Sequence, residues 1–231
     1  IGCGGMTVLS ANFDTVFSLH GRVPSTGAAI KIATEPDTSE VTDDSNTTGG
    51  DADNTATTVN KLHIFVGDSR TVGLSNAMGC VSYDKLLQIR TEENLTEYYL
   101  AEVGSGYSWY STKALPRLVK MLNENPAATV ILNHGINDLG NIDQYIASYQ
   151  WLIGVYSNTK FVIMSVNPVN RKLYKGYAKP ANITVFNQKM QAAFPNNFVN
   201  TYQYLQSMGF NTADGLHYDS LTYMNLYNYM Q

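Results

Sequence analysis

A hydroxyl, an imidazole and a carboxylate able to act on one another stand at two distant places in this chain. Ser69 follows the apolar run in His63-Ile-Phe-Val-Gly-Asp-Ser-Arg70, and Asp214-Gly-Leu-His217 lies close to the last residue. A spacing of three residues brings a carboxylate to one ring nitrogen of a histidine. That bond fixes the tautomer and leaves the other nitrogen free as a base. A serine hydroxyl is a weak nucleophile at neutral pH and needs such a base to act. Plainer readings stand beside this one. Ser and Asp are favoured helix caps, and an Asp and a His at this spacing are often incidental.

Two further blocks offer hydrogen-bond donors. Val103-Gly-Ser-Gly-Tyr-Ser-Trp109 contains a glycine pair, Gly104 and Gly106. Glycine lets a ligand approach the backbone closely and meet an unobstructed N–H, or it simply makes a tight turn. Asn133-His-Gly-Ile-Asn-Asp-Leu139 offers the side-chain amide of Asn137, which is equally at home as a turn residue. His134, beside it, either lines the same site or packs in the core, and packing is the expectation.

These blocks need elements to hold them, and the pattern supplies such elements from Lys61 onward. Leu62–Val66, Tyr98–Val103, Ala128–Leu132, Lys160–Val166 and the weaker Asn197–Tyr202 read as strands. Continuous apolar runs of this length suit strands buried on both faces. Helical spacing follows in Leu115, Leu118, Val119 and Leu122, in Ile142, Tyr145, Ile146, Tyr149 and Ile153, in Val185, Phe186, Met190 and Phe194, and in Ser220–Met230. Strand–helix alternation predicts a three-layer α/β/α sandwich around a parallel sheet of about five strands, with helices on both faces. In such sheets ligands bind at the carboxyl ends of the strands, where the polar blocks fall.

Taken together, strand-GDS, strand-GSG, strand-GxND and a late DxxH resemble the sequence blocks of the SGNH (GDSL-like) hydrolases. The resemblance covers residues 61–231. It implies a flavodoxin-like strand order, a carboxylic ester hydrolase activity, and no cofactor or metal. By the same resemblance Ser69 matches the nucleophile, His217 the general base and Asp214 the residue that orients it. The Ser69 N–H, the Gly106 N–H and the Asn137 amide match the oxyanion donors, with Gly104 as the fallback for Gly106. Arg70 departs from the pattern, since many relatives have leucine there. It is expected either to contact an anionic or sugar substrate or to lie along the helix surface paired with a carboxylate. Tyr107, Trp109 and Tyr110 follow the oxyanion glycine and are candidates for a substrate-stacking wall. The alternative for Trp109 is inward packing.

Residues 1–60 read as a separate tail and linker. Residues 35–58 are Thr, Asp, Asn, Ser and Gly almost throughout. Such a stretch buries too little apolar area to offset its ordering entropy, so a flexible linker is expected. Linkers of this kind suit an extracellular or cell-surface protein. Cys3 raises the alternative of a lipid-bearing cysteine, and a Cys3–Cys80 disulfide is not expected. The net charge of −4 argues against nucleic acid as a partner, because phosphate binding needs a basic face. No run of about eighteen apolar residues predicts a membrane span. The sixteen tyrosines serve either core packing or surface stacking on sugars. A small-molecule or carbohydrate ester is therefore the expected substrate, with removal of a short acyl group such as acetyl as the leading activity. A lysophospholipase- or lipase-like esterase, a glycan O-acyltransferase, a flavin-binding protein and a catalytically silent surface module are the competing readings.

Overall fold

A computed structural model describes residues 61–231 of the chain. The expected tail, linker and Cys3 lie outside the described residues. Seven strands form one sheet in the order β2-β3-β4-β1-β5-β6-β7. They are β1 (Lys61–Gly67), β2 (Val81–Ser82), β3 (Leu87–Glu92), β4 (Leu95–Ala101), β5 (Thr129–Asn133), β6 (Lys160–Met164) and β7 (Phe198–Val199). The five strands expected from the apolar runs are β1, β4, β5, β6 and β7, and all pair in parallel. Numbered among themselves they run 2-1-3-4-5, the flavodoxin-like order.

The sheet is mixed and larger than expected, because β2 and β3 add an antiparallel edge. Period-2 strands of this kind, exposed along much of their length, show no continuous apolar run. Leu87 is the only fully buried residue of β3, and both residues of β2 are exposed. A two-residue turn at Glu93-Asn94 joins β3 to β4, with Asn94 at a φ of 61°. Asparagine tolerates that left-handed backbone better than most residues.

The central strands explain the layering. Ile64, Val66, Leu100, Val130, Leu132, Phe161 and Ile163 point to one face and join one buried cluster. Phe65, Tyr99, Ile131, Val162 and Met164 point to the other face and join a second. Helices α2 (Leu115–Glu124), α3 (Ile142–Val155) and α4 (Pro180–Ala193) cover the first face. Helices α1 (Ser69–Ala77), α5 (Thr201–Met208) and α6 (Ser220–Met230) cover the second. Each wholly buried Leu, Ile or Phe contributes roughly 1.5–3 kcal/mol, so both faces are strongly specified. Helix α5 replaces the end of the expected fifth strand, where only Phe198 and Val199 pair with β6.

Strand register sets up the site. Gly67, the last residue of β1, pairs with Ala101 on one side and Asn133 on the other. The segments that follow all three strands therefore leave the sheet at the same edge. This is where the order of parallel strands reverses, the crevice in which doubly wound sheets bind ligands.

Candidate active site

Ser69 is the first residue of α1, and Asp68 before it is the cap. The Asp68 carboxylate accepts the Arg70 N–H at 2.9 Å. Both readings of this block thus meet in one turn: Asp68 caps the helix, and Ser69 is free to point elsewhere. Gly67 makes the turn tight. A Cβ there would stand 2.0 Å from Thr71 Oγ1 and 2.7 Å from the Asn133 carbonyl oxygen. Asn133 donates its side-chain amide to Thr71 Oγ1 at 3.1 Å, tying β5 to the first turn of α1.

The Ser69 hydroxyl lies 2.9 Å from His217 Nε2, and His217 Nδ1 lies 2.6 Å from Asp214 Oδ2. Residues 148 positions apart are thereby joined in one hydrogen-bonded row. The Asp214 turn is stiff. Its Oδ1 accepts the backbone N–H groups of Leu216 and His217, each at 2.8 Å. Gly215 sits at a φ of +83° with backbone and Tyr174 atoms crowding its Cβ position, so only glycine suits it. Partial burial pushes the Asp214 carboxyl upward, but hydrogen bonds from the His217 ring and these two backbone N–H groups outweigh it. The net effect holds Asp214 well below the usual carboxylate range, so it stays an anion at working pH. Asp68 behaves oppositely: burial pushes it up to about 6, only partly offset by the Arg70 N–H and the Arg70 charge.

The glycine and asparagine blocks also meet. Asn137 donates its amide to the Ser105 carbonyl at 2.8 Å, and the Ser105 hydroxyl donates to the Gly67 carbonyl at 3.3 Å. Gly106, next in sequence, is packed so that a Cβ would fall 2.6 Å from an Asp138 carboxylate oxygen. Gly104 has a φ of +76° and open space around it, which marks it as the turn glycine.

Asp138 is a residue the sequence reading passed over. Its carboxylate accepts the Tyr107 N–H at 2.5 Å, the Asn141 amide at 2.9 Å and the Tyr145 hydroxyl at 3.0 Å. It pins the Gly106 segment against the Asn137 segment. Its position directly after Asn137, in a block already singled out, was the available signal.

Two of the expected substrate contacts, Arg70 and Tyr110, are buried. Arg70 neither reaches toward a substrate nor lies on the helix surface with a carboxylate. It is 2% exposed, its guanidinium donating to the carbonyls of Leu216 (3.1 Å), Asn167 (2.8 Å) and Pro168 (3.0 Å). It also lies over the Tyr218 ring at 5.1 Å. A fork of fixed donors suits several carbonyls converging from two loops; a leucine there would leave those of Leu216 and Asn167 unpaired, while Pro168 would keep the Tyr218 hydroxyl. Tyr110 is wholly buried and its hydroxyl shares a 2.9 Å hydrogen bond with Ser148, so it belongs to the core. Trp109 is half-buried against the same core beside His134, and its indole N–H is buried without a partner. Tyr107 is half-buried and meets the Tyr145 ring edge-on at 5.1 Å. His134 packs among aromatic rings, as expected, with neither ring nitrogen hydrogen-bonded.

A groove of about 450 Å³ opens beside Ser69 and His217. It is lined by Val72, Gly73, Asn76 and Ala77 of α1 and by Val103, Tyr218, Ser220 and Tyr223. Tyr107, Trp109 and Arg70 do not line it. Residues 72, 73, 76 and 77 are three, four, seven and eight positions after Ser69, on the same face of the helix. That spacing is visible in the sequence. Among the described residues, no three His, Cys, Asp or Glu side chains are grouped so as to hold a metal ion. Among the same residues, no helix is long and apolar enough to cross a membrane.

No protein-family model matches the chain, and no curated protein does. Solved structures do resemble it. One is assigned as a platelet activating factor from Streptococcus pneumonia, with 21% identity, a TM-score of 0.51, and coverage of 77% of this chain and 85% of that one. Another is a lipase/acylhydrolase from Enterococcus faecalis, with 17% identity, a TM-score of 0.51, and coverage of 74% and 93%. A third is a member of the lipolytic G-D-S-L family from Veillonella parvula, with 13% identity, a TM-score of 0.50, and coverage of 73% and 95%. The described part of the chain has the α/β fold of the SGNH, or GDSL-like, hydrolases.

Proposed function

We propose that this protein is a serine esterase that removes short acyl groups, acetyl foremost, from a carbohydrate. The observation that carries the reading is the continuous row Asp214–His217–Ser69, with contacts of 2.6 and 2.9 Å, at the carboxyl edge of the sheet. In this reading Ser69 Oγ attacks the ester carbonyl while His217 Nε2 takes its proton. Asp214 stabilises the imidazolium through Nδ1. The Ser69 and Gly106 N–H groups and the Asn137 amide receive the negative oxygen of the tetrahedral intermediate. His217 then returns the proton to the departing alcohol, and water releases the acyl group by the same base.

The substrate class rests on the shape and chemistry of the groove. It is short, open to solvent and edged by the Asn76 amide and the Ser220 hydroxyl. Such a site suits a small acyl group on a polar alcohol better than a long hydrocarbon chain. An extracellular or cell-surface setting is part of the proposal, motivated by the polar composition of residues 35–58.

The test uses the full chain with p-nitrophenyl acetate and with an acetylated oligosaccharide. Wild type is expected to release acetate from both. Ser69→Ala is expected to lose turnover by ~10⁴-fold or more, with its thermal unfolding midpoint nearly unchanged. Wild-type turnover in that variant would overturn the assignment. Acetate appearing on an added acceptor glycan instead of in solution would replace hydrolysis by transfer on the same residues.

A further inference from the structure

The positions of the candidate donors decide which part of an ester the groove beside Ser69 faces. Gly106 and Asn137 do not line it; both belong to the Ser105–Asp138 cluster, which is tied to the Gly67 carbonyl just before Ser69. The groove starts at Ser69 and His217 and runs along α1 past Val72, Gly73 and Asn76, with Ser220 and Tyr223 on the facing side.

Acyl transfer fixes the layout of groups around such a serine. As the Oγ–carbon bond forms, the carbonyl oxygen turns toward the oxyanion donors. As the bond from that carbon to the alcohol oxygen breaks, the proton taken from Oγ passes from the imidazole to the departing oxygen. The alcohol must therefore leave on the imidazole's side, away from the donors. We propose that the groove between α1 and the start of α6 binds the alcohol part of the ester, and that this alcohol carries further hydroxyl groups. The assignment rests on the serine-esterase reading above and adds to it the side on which the alcohol sits.

The lining supports a specific class of alcohol. A volume of about 450 Å³ lies within the range of roughly 300–1,000 Å³ typical of small-ligand sites. It is large for methanol or ethanol. Gly73 keeps the floor low: a Cβ there would stand 2.5 Å from the Tyr223 hydroxyl oxygen, so its absence lets the tyrosine lie against the helix. Tyr223 is buried beneath this floor, while the exposed Asn76 and Ser220 offer polar groups at the rim. An open groove rimmed by amide and hydroxyl groups suits an alcohol that itself carries further hydroxyls, such as a sugar.

Asn76 is exposed on α1 and tolerates enlargement without touching the core. The test compares wild type with Asn76→Trp in the full chain, on two substrate series. One fixes the acyl group and varies the alcohol: methyl acetate against a monoacetylated monosaccharide. The other fixes the alcohol and varies the acyl group: p-nitrophenyl acetate against p-nitrophenyl butyrate. In Asn76→Trp the ratio of kcat/KM for the acetylated sugar over methyl acetate is expected to fall by about tenfold or more, with the butyrate-to-acetate ratio changed by less than about twofold. A thermal melt matching wild type excludes misfolding as the cause. A shifted butyrate-to-acetate ratio with an unchanged alcohol ratio would overturn the assignment and make the groove an acyl site. Both ratios unchanged would also overturn it. An inert wild type would be a different result, removing the esterase reading itself.

Discussion

His217 commits its two ring nitrogens to opposite tasks, and the surrounding residues enforce the division. Nδ1 is held by Asp214, which two backbone N–H groups fix in place and keep ionised. Nε2 is left for Ser69. At this scale the sequence was informative, because Asp214 and His217 share one tight turn and Ser69 opens the helix that follows one strand. Local spacing carries such information. Arg70 was not legible in the same way. Its partners, Leu216, Asn167 and Pro168, are 146, 97 and 98 residues away, so nothing near position 70 announced its burial. Asn137 yields a residue-scale prediction. Asn137→Ala removes one proposed oxyanion donor, which typically costs about 100- to 1,000-fold in rate. Steady-state kinetics on p-nitrophenyl acetate should show the loss in kcat, with KM changed far less. A loss confined to KM would assign Asn137 to substrate binding instead.

At the scale of elements, the site is assembled by segments that leave neighbouring strands at one edge. The parallel strands were readable because each is a continuous apolar run buried on both faces. The β2–β3 edge was not, because Val81 and Ser82 are exposed and β3 buries little. The groove escaped for another reason: one wall comes from α1 and the other from the start of α6, and only the fold brings them together. Arg70 is the clasp between α1 and the loops holding His217 and Asn167. Arg70→Leu would leave the carbonyls of Leu216 and Asn167 without donors, while that of Pro168 keeps the Tyr218 hydroxyl. Each such orphaned group costs about 1–3 kcal/mol, so a total loss of roughly 2 kcal/mol or more is expected in urea unfolding. Activity should fall through kcat, since the His217 loop loses its anchor. An unchanged unfolding midpoint would show that the clasp contributes nothing.

For the whole molecule, two buried ionisable groups pull stability in opposite directions with pH. Burial pushes the His134 imidazole down to about 3, from an ordinary value near 6.5. Its contribution is complete above about pH 6.5 and is lost as the pH falls toward 3, because the unfolded chain binds the proton first. Asp68, pushed up to about 6, contributes stability below about pH 4 that is lost as the pH rises through 6. His134→Phe removes the first contribution alone. Urea unfolding between pH 6.5 and pH 4 should then show an acid loss smaller than wild type's by up to about 1.4 kcal/mol per pH unit. Identical slopes would mean that His134 is protonated in the folded state.

The central claim is that Ser69 is a nucleophile driven by His217. Its most direct test is covalent labelling of the full chain with a fluorophosphonate, followed by mass mapping of the modified peptide. The row of contacts from Asp214 through His217 predicts a single adduct on Ser69, and its disappearance in His217→Ala while the fold persists. An adduct on another serine, or undiminished labelling of Ser69 without the imidazole, would contradict it.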